Sequence, residues 1–191
     1  MMSDPFTLDL TGKLLVAMPG MGDPRFDRSV VLICAHSQEG PMGLMINKPA
    51  RDVDLGALMT QLDIDAGPAL GGLAVHIGGP VETSRGFVLH STEYRSRLQT
   101  LEIGDDFGMT ATLDVLEDIA AGEGPQTSLV MLGYAGWGAG QLEGEIARNG
   151  WLTVEADANL VFDPNDDAKW AAALGTLGID PLGLSGIAGR A

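Results

Sequence analysis

The sequence predicts a single α+β domain, and three observations carry that reading. Short β-branched or alternating apolar runs outnumber helix-like stretches and are joined by turns rich in Gly, Pro, Asp and Asn. Regular strand–helix–strand alternation is absent, which argues against a doubly wound nucleotide fold. The chain has 191 residues, 45% of them apolar, enough for one sizeable core, and it shows no internal repeat, low-complexity block or linker.

In chain order, residues 1–9 are expected to fray. Gly12 to Met18 reads as the first strand. Pro19 and Pro24, with Gly20 and Gly22, then force a loop carrying Asp23, Arg25, Phe26, Asp27 and Arg28. The β-branched run from Ser29 to His36 and the return from Met42 to Asn47 make a hairpin that Pro49 ends. Asp52 or Asp54 caps a helix with Leu55, Leu58, Met59 and Leu62 on one face. Strands follow at Ala74–Ile77 and Gly86–His90, and two short ones around the Gly104-Asp-Asp106 turn. Thr112 caps a helix over Leu113, Leu116, Ile119 and Ala120, with Asp114 near its positive end. A last amphipathic helix presents Trp170, Ala173, Leu174 and Leu177. The glycine-rich tail 178–191 is expected to be loose. The predicted core includes Val31, Ile33, Leu44, Ile46, Leu58, Val75, Val88, Leu116, Leu129, Met131, Ile146 and Leu152.

The chain is organised around residues 128–155. Ser128–Leu132 reads as a buried strand. Glycines at 133, 136, 138 and 140 then bracket Tyr134 and Trp137. A helix follows with Leu142 and Ile146 on one face and Gln141 adjacent to Glu145 at i,i+4. Asn149-Gly150 closes it in a left-handed cap, and Trp151–Val154 alternates as a half-buried strand. The glycines admit a phosphate cradle, a tight turn whose aromatics plug the core, or a turn lining a groove. No Lys-Ser/Thr follows them and the third glycine of G-x-G-x-x-G is missing, so the nucleotide reading fails on detail.

Gly133-Tyr-Ala-Gly-Trp137, Gln141-Leu-Glu143 with Glu145, and Trp151-Leu-Thr153 resemble the signature of the AlgH/YqgE family of bacterial proteins. Further stretches agree with that family in its order. They are Met18-Pro-Gly-Met21 with Asp23-Pro-Arg-Phe26 and Arg28-Ser-Val30, Gly43-Leu44 with Ile46-Asn-Lys-Pro49, and Gly78-Gly-Pro-Val81 with Arg85-Gly-Phe-Val-Leu-His90. The resemblance spans about Leu10 to Arg190. It implies one domain over 10–191, built on a strongly curved, bifurcated sheet folded toward a pseudo-barrel with helices packed outside. Members of the family are often labelled transcriptional regulators, but no activity is established for it, so the resemblance implies a fold and leaves the function open.

Charge narrows the function classes. With 26 acidic and 11 basic residues the net charge is −15 and the pI about 4.3, which repels nucleic acid and anionic membrane. One cysteine excludes an intrachain disulfide and a cysteine-rich zinc site. The acidic N-terminus lacks the basic region of a signal peptide, and no apolar run approaches a membrane span, so a cytoplasmic location is expected.

Catalytic constellations are weak. Cys34 and His36, at i,i+2 on one strand, are expected to share a face. They read either as an activated thiol with its base or as a small buried hydrophobe beside a satisfied histidine; Val30 and Leu32 on that face favour the second. His76 and His90 are isolated, with no H-x-H or H-E-x-x-H pairing. Gly183-Leu-Ser-Gly-Ile187 misses the serine elbow by one place. Glu143 and Glu145 lie about 200° apart around a helix and make no carboxylate pair. No cofactor and no metal site is expected.

The basic residues Arg25, Arg28, Lys48, Arg51 and Arg85 stand in or beside turns, either balancing Asp23, Asp27, Asp52, Asp54 and Glu82 or forming a local positive groove. The expected recognition surface therefore gathers four turns: Pro24, Arg25 and Phe26; Asn47, Lys48 and Pro49; Gly78, Gly79 and Pro80 with Arg85; Tyr134 and Trp137 with Gln141 and Glu145. Three functions compete. The favoured one is a non-enzymatic regulatory or interaction protein with an unidentified protein or small-molecule partner and no specific DNA binding of its own. The others are an enzyme or redox switch centred on Cys34 with His36, and a direct transcriptional regulator. The sequence does not specify the oligomeric state.

Overall fold

The computed structural model describes residues 9–19, 23–65 and 74–181. Residues 1–8 and 182–191, which hold most of the expected frayed ends, lie outside the described residues. Of the tail expected to be loose, Ile179 packs against the core and donates its N–H to Leu174 O (3.1 Å).

The described elements run β1 (Lys13–Ala17), a 3-10 turn (Pro24–Phe26), β2 (Val30–Ser37), β3 (Gly40–Met45), β4 (Pro49–Asp54), α1 (Leu55–Gln61), β5 (Ala74–Ile77), β6 (Val81–His90), β7 (Leu101–Ile103), β8 (Phe107–Thr110), α2 (Leu113–Ala120), β9 (Ser128–Gly136), α3 (Gln141–Ala147), β10 (Trp151–Glu155), α4 (Ala158–Val161) and α5 (Asp166–Gly175). The hairpin expected from residues 29–47 is β2–β3, and Asp54 caps α1 by accepting from Gly56 N (3.0 Å). Pro49 does not simply end a strand; it opens β4, which pairs with β5. Thr112 stands at the N-cap of α2 but makes no side-chain cap bond; its hydroxyl donates to Asp114 instead.

The sheet follows the path β10-β1-β2-β3-β9-β6-β8-β7 and forks at β9. The first half of β9 takes β5 in parallel, Val75↔Val130 to Ile77↔Leu132. Its second half takes β3 antiparallel, at Met42↔Gly136 and Gly43↔Ala135. Two sheet branches can leave one strand only where backbones cross closely, and glycines provide that room. Gly133 has φ of 76°, and a Cβ on it would lie 2.4 Å from Gly79 O. A Cβ on Gly79 would lie 2.1 Å from the Tyr134 carbonyl carbon. Gly133 is also where β9 changes face. Met131 packs in one cluster with Leu14, Leu32 and Leu89, whereas Ala135, four residues on, packs in another with Leu15 and Val31. The left-handed backbone at Gly133 is what reverses the alternation there.

One cluster joins residues of β1, β2, β3, β6, β7, β8, β9 and β10 on a single face. Strands so far apart in the path can share a cluster only if the sheet curls, so the fold is a curled half-barrel. As the resemblance implied, a curved, forked sheet folds toward a barrel and the helices pack against its faces. Trp170, Ala173 and Leu174 of α5 and Val161 of α4 pack into the concave cluster. The reverse face carries α3 over β1–β3 and α1 with α2 over β5, β6 and β9. A lysine goes in with α5: Lys169 Nζ donates to Ile46 O (2.8 Å) and lies 2.9 Å from Asp166, whose other oxygen accepts from His76 Nε2 (2.8 Å). Burial works to raise the Asp166 pKa, but the His76 and Lys169 hydrogen bonds prevail and hold it below the usual carboxylate value.

Candidate functional site

The site grows from the end of β9 and helix α3. Trp137 leaves β9 with its N–H on Pro41 O (3.1 Å). Gly40 makes this possible, because a Cβ there would lie 1.8 Å from Trp137 O. Gly140, at φ 79°, starts α3, and Gln141 Oε1 accepts from Gly138 N (3.0 Å), closing the turn. One helical turn on, Glu145 Oε1 accepts from Trp137 Nε1 (3.0 Å) and from Trp151 Nε1 (2.9 Å), while its Oε2 accepts from Gln141 Nε2 (3.1 Å). Buried indoles need an acceptor, and here one carboxylate serves two. The indoles meet edge to face at 5.9 Å. Phe26 stacks on Trp137 at 6.2 Å and meets Trp151 edge-on at 5.5 Å. Asn149, at φ 62°, then ends α3 in the expected left-handed cap.

This aromatic base underlies a cleft of about 710 Å³ whose polar lining includes Asp23, Arg25, Gln141, Glu145, Arg148 and Asn149, with Pro80 at its edge. Arg25 pairs with Asp23 at 2.7 Å and lies 5.9 Å over the Phe26 ring. The Arg25 hydrogen bond holds Asp23 below the usual carboxylate pKa. A second cleft, of about 630 Å³, shares Val81, Gly136 and Trp137 with the first and carries Arg85 and Tyr134. Arg85 lies 5.1 Å over the Phe87 ring and 3.6 Å from Glu82. Burial, then the Glu82 carboxylate, push the Tyr134 phenol up.

Of the four turns expected to converge, three do. Arg25, Phe26, Pro80 and Trp137 line one cleft, and Tyr134 and Arg85 line its neighbour. Pro24 opens the 3-10 turn that presents Arg25. Gly78 and Gly79 are buried at the fork and do not present themselves. The Asn47–Pro49 turn is a brace behind the others. Asn47 Oδ1 accepts from Val30 N (2.9 Å) and its Nδ2 donates to Arg28 O (2.8 Å), which holds Arg28 at φ 55°. Lys48 donates to Asp27 O, and burial lowers its pKa. Pro49 lies opposite His76 in the β4–β5 pair.

Cys34 and His36 do not share a face, contrary to the i,i+2 expectation. A bulge between Ile33 and Ala35 breaks the alternation. Cys34 stays with Val30 and Leu32 in the concave cluster, where burial pushes its thiol up to about 12. His36 turns to the other side, accepts from Leu10 N (3.3 Å) and stands 3.5 Å from Glu143. Among the described residues, no group of three or more His, Cys, Asp or Glu is placed to hold a metal ion, and no helix is long and apolar enough to cross a membrane.

Sequence reasoning did not place Asp23, Arg148, Asn149 or Trp151 at the site. The signal for Trp151 was available: two tryptophans flanking a helix need an acceptor for each N–H, and Glu145 lies between them in sequence.

Comparison with known proteins bears on the family and the fold. The AlgH-like family model matches residues 14–182. A UPF0301 protein of Ruegeria pomeroyi is 58% identical over 185 residues, 96% of this chain and 100% of that one. One from Cereibacter sphaeroides is 54% identical over 184 residues, with the same coverage. The solution structure of the AlgH protein from Pseudomonas aeruginosa matches with a TM-score of 0.79 at 41% identity, covering 100% of both chains. A crystal structure of a Corynebacterium diphtheriae protein shares the fold, with a TM-score of 0.70 at 23% identity over 89% of this chain and 88% of that one. The chain belongs to the AlgH-like family.

Proposed function

We propose that this is a cytoplasmic, non-enzymatic recognition protein that acts through a protein or small-molecule partner seated in the clefts beside Trp137. One observation carries the reading. Glu145 locks Trp137, Trp151 and Gln141 through three hydrogen bonds from neutral donors, which makes the cleft base rigid before any partner arrives. Arg25, Asp23 and Arg148 at the edge supply charged contacts that reward a complementary surface. Any effect on gene expression runs through that partner. A net charge of −15 opposes approach to phosphate, and α2 carries no Lys or Arg that could serve a recognition helix.

The test is affinity capture from native cytoplasm with the wild type, with Arg25→Glu/Arg148→Glu, and with Lys13→Glu as a remote control. The reading expects a partner retained by wild type and control and lost by the cleft variant. Equal capture by all three overturns it, as does sequence-selective DNA binding by the purified protein at physiological salt.

A further inference from the structure

Strands β6 and β8 separate before β6 ends. They pair from His90↔Gly108 to Val88↔Thr110. Beyond that point Ala111 and Thr112 lead away into α2, while β6 runs on beside β9, at Phe87↔Met131 and Gly86↔Leu132. On the side that β8 has left, no strand pairs with residues 84–87 among the described residues. Residues 82–86 are all exposed. An open strand edge presents a row of backbone N–H and C=O groups to an approaching extended chain.

Each face of this edge holds a cavity. Toward α1 and α2 lies a slot of about 250 Å³, with Ser84, Gly86 and Val88 on its β6 side and Leu62, Leu113 and Leu116 among its walls; no charged residue lines it. Leu113 is 52% exposed and Leu62 36%, so these apolar walls stand partly in water. The other face carries the second cleft, of about 630 Å³, where Arg85 is joined by Met42, Met109 and Tyr134, and the Phe87 ring packs in the concave cluster. Glu39 and Arg85 give that cleft one charge of each sign, so it selects no charged group. Residues 84–88 therefore alternate between the two cavities, as a regular strand does. The cavities meet along the edge, where Phe87, Ala111 and Thr112 line both. Gly86 leaves the slot open, since a Cβ there would meet only Met131 O, at 4.0 Å. A glycine inside a strand is a place where another backbone can come close.

We propose that an extended peptide segment of a protein partner adds to the free edge of β6, in the ladder position that β8 vacates. The two-sided arrangement selects this occupant. A helix or a small ligand fills a cavity on one face only. An added strand sends successive side chains to opposite faces, one into the slot and the next into the cleft, while its backbone bonds to β6. The side chain opposite Gly86 is bulky and apolar, because the slot rejects charge and its volume leaves room for an aliphatic or aromatic group. A second copy of β6 does not supply that group. Paired with itself about a two-fold axis, the free stretch offers the slot only Ser84 and Gly86, and two chains each carrying −15 repel. The proposal rests on the reading of this chain as a recognition protein, gives the partner its form, and places the contact away from Arg25.

The test pans a phage library of random linear octapeptides against the full chain at physiological salt, then measures the selected sequence as a free peptide. The expected binder carries a bulky apolar residue at one position and depends on alternate backbone N–H groups. N-methylation at every second residue abolishes binding, and N-methylation at the residues between leaves it. Bound peptide protects amides of residues 84–87 from hydrogen exchange and shifts the methyls of Leu62 and Leu113. Gly86→Leu, whose Cβ has room, fills the slot and weakens the peptide roughly tenfold. Leu113→Glu, at an exposed position, weakens it to a similar degree, and urea transitions show that both variants are folded. Recovery of no binding peptide, N-methylation effects without alternation, no protection at residues 84–87, or wild-type binding by both variants overturns the proposal. Protection there that rises with protein concentration in the absence of peptide overturns it in favour of a second copy. Arg25→Glu/Arg148→Glu is expected to bind the peptide as the wild type does; a peptide lost by that variant and kept by Gly86→Leu and Leu113→Glu overturns the β6 edge and leaves the cleft reading standing.

Discussion

From Ser128 to Leu132, β9 lies in an ordinary ladder, with β5 on one edge and β6 on the other. From Gly133 to Gly136 the same strand changes face, hands its edge from β5 to β3 and delivers Trp137 to the site. The first half is held by side chains: Leu129 and Met131 in the concave cluster, Val130 against α1 and α2. The second half depends on their absence, because at Gly133 and Gly79 backbone meets backbone. A strand can therefore be specified by what fills its faces or by what is left out of them, and here the recognition surface hangs on the second kind.

The sharpest way to break the comparison is to add one methyl group on each side of Tyr134. Gly133→Ala must adopt φ 76° with its Cβ 2.4 Å from Gly79 O. Left-handed strain alone costs about 1–2 kcal/mol, and the backbone overlap raises the total to roughly 4 kcal/mol or more, among the largest single-residue effects. Gly136→Ala meets nothing closer than a Tyr134 ring carbon at 3.5 Å, so its effect stays within about 0.5 kcal/mol. Urea unfolding midpoints of the two variants read the difference directly. Comparable losses would mean that the fork does not need its glycine.

The sequence displayed the two halves unequally. Ser128–Leu132 announced itself by apolar content, and so did β2, α1 and α2, whose boundaries fall within a few residues of expectation. β4 was not legible, because Pro49-Ala-Arg-Asp-Val-Asp54 carries neither alternation nor an apolar run and becomes a strand only through β5. The fork itself is non-local. Gly133 reads as one more turn glycine until Gly79 is placed against it. Nothing in the local sequence marks Lys169 as buried, and only the concave packing of α5 shows that it reaches Ile46 O. The clefts follow the same rule. Trp137, Gln141 and Glu145 were legible because they lie within one turn-helix unit, whereas Arg148, Asn149 and Trp151 joined them only once Asp23 and Phe26 had folded over.

A smaller effect sharpens the comparison on α3. Glu145 and Glu143 are two residues apart and face opposite ways. Glu145→Ala strands two indole N–H groups and costs about 2–4 kcal/mol. Glu143→Ala removes a 3.5 Å contact with His36 and costs less than about 1 kcal/mol. Chemical denaturation gives both numbers, and tryptophan emission should shift only in the first variant. If Glu143→Ala proves the more damaging of the two, the carboxylate does not hold the aromatic base.

The smallest expected effect tests whether the bulge in β2 separates Cys34 from His36. If β2 ran without its bulge, His36 would stand beside Cys34 and could draw off its proton, and the thiol would be reactive near neutral pH. With the bulge, Cys34 is sealed among Val30, Leu32 and Leu44, no imidazole faces it, and its pKa is pushed up to about 12 by burial. At pH 8 the folded protein then holds almost no thiolate, and alkylation must wait for opening of the core. The expected outcome is a native-state iodoacetamide rate well over a hundredfold below that of the urea-unfolded chain, whose thiol titrates near its ordinary value of about 8.5. His36→Ala should leave this rate unchanged at every pH. A native rate close to the unfolded one, or one that falls when His36 is removed, would place the two residues on a common face and return the thiol switch to consideration. The linked stability has a definite sign. The folded state favours the neutral thiol, so its contribution is intact below the unfolded pKa and is lost as pH rises through the alkaline range toward the folded value. Cys34→Ala should therefore flatten the alkaline end of the stability profile while leaving its shape near neutrality as it was.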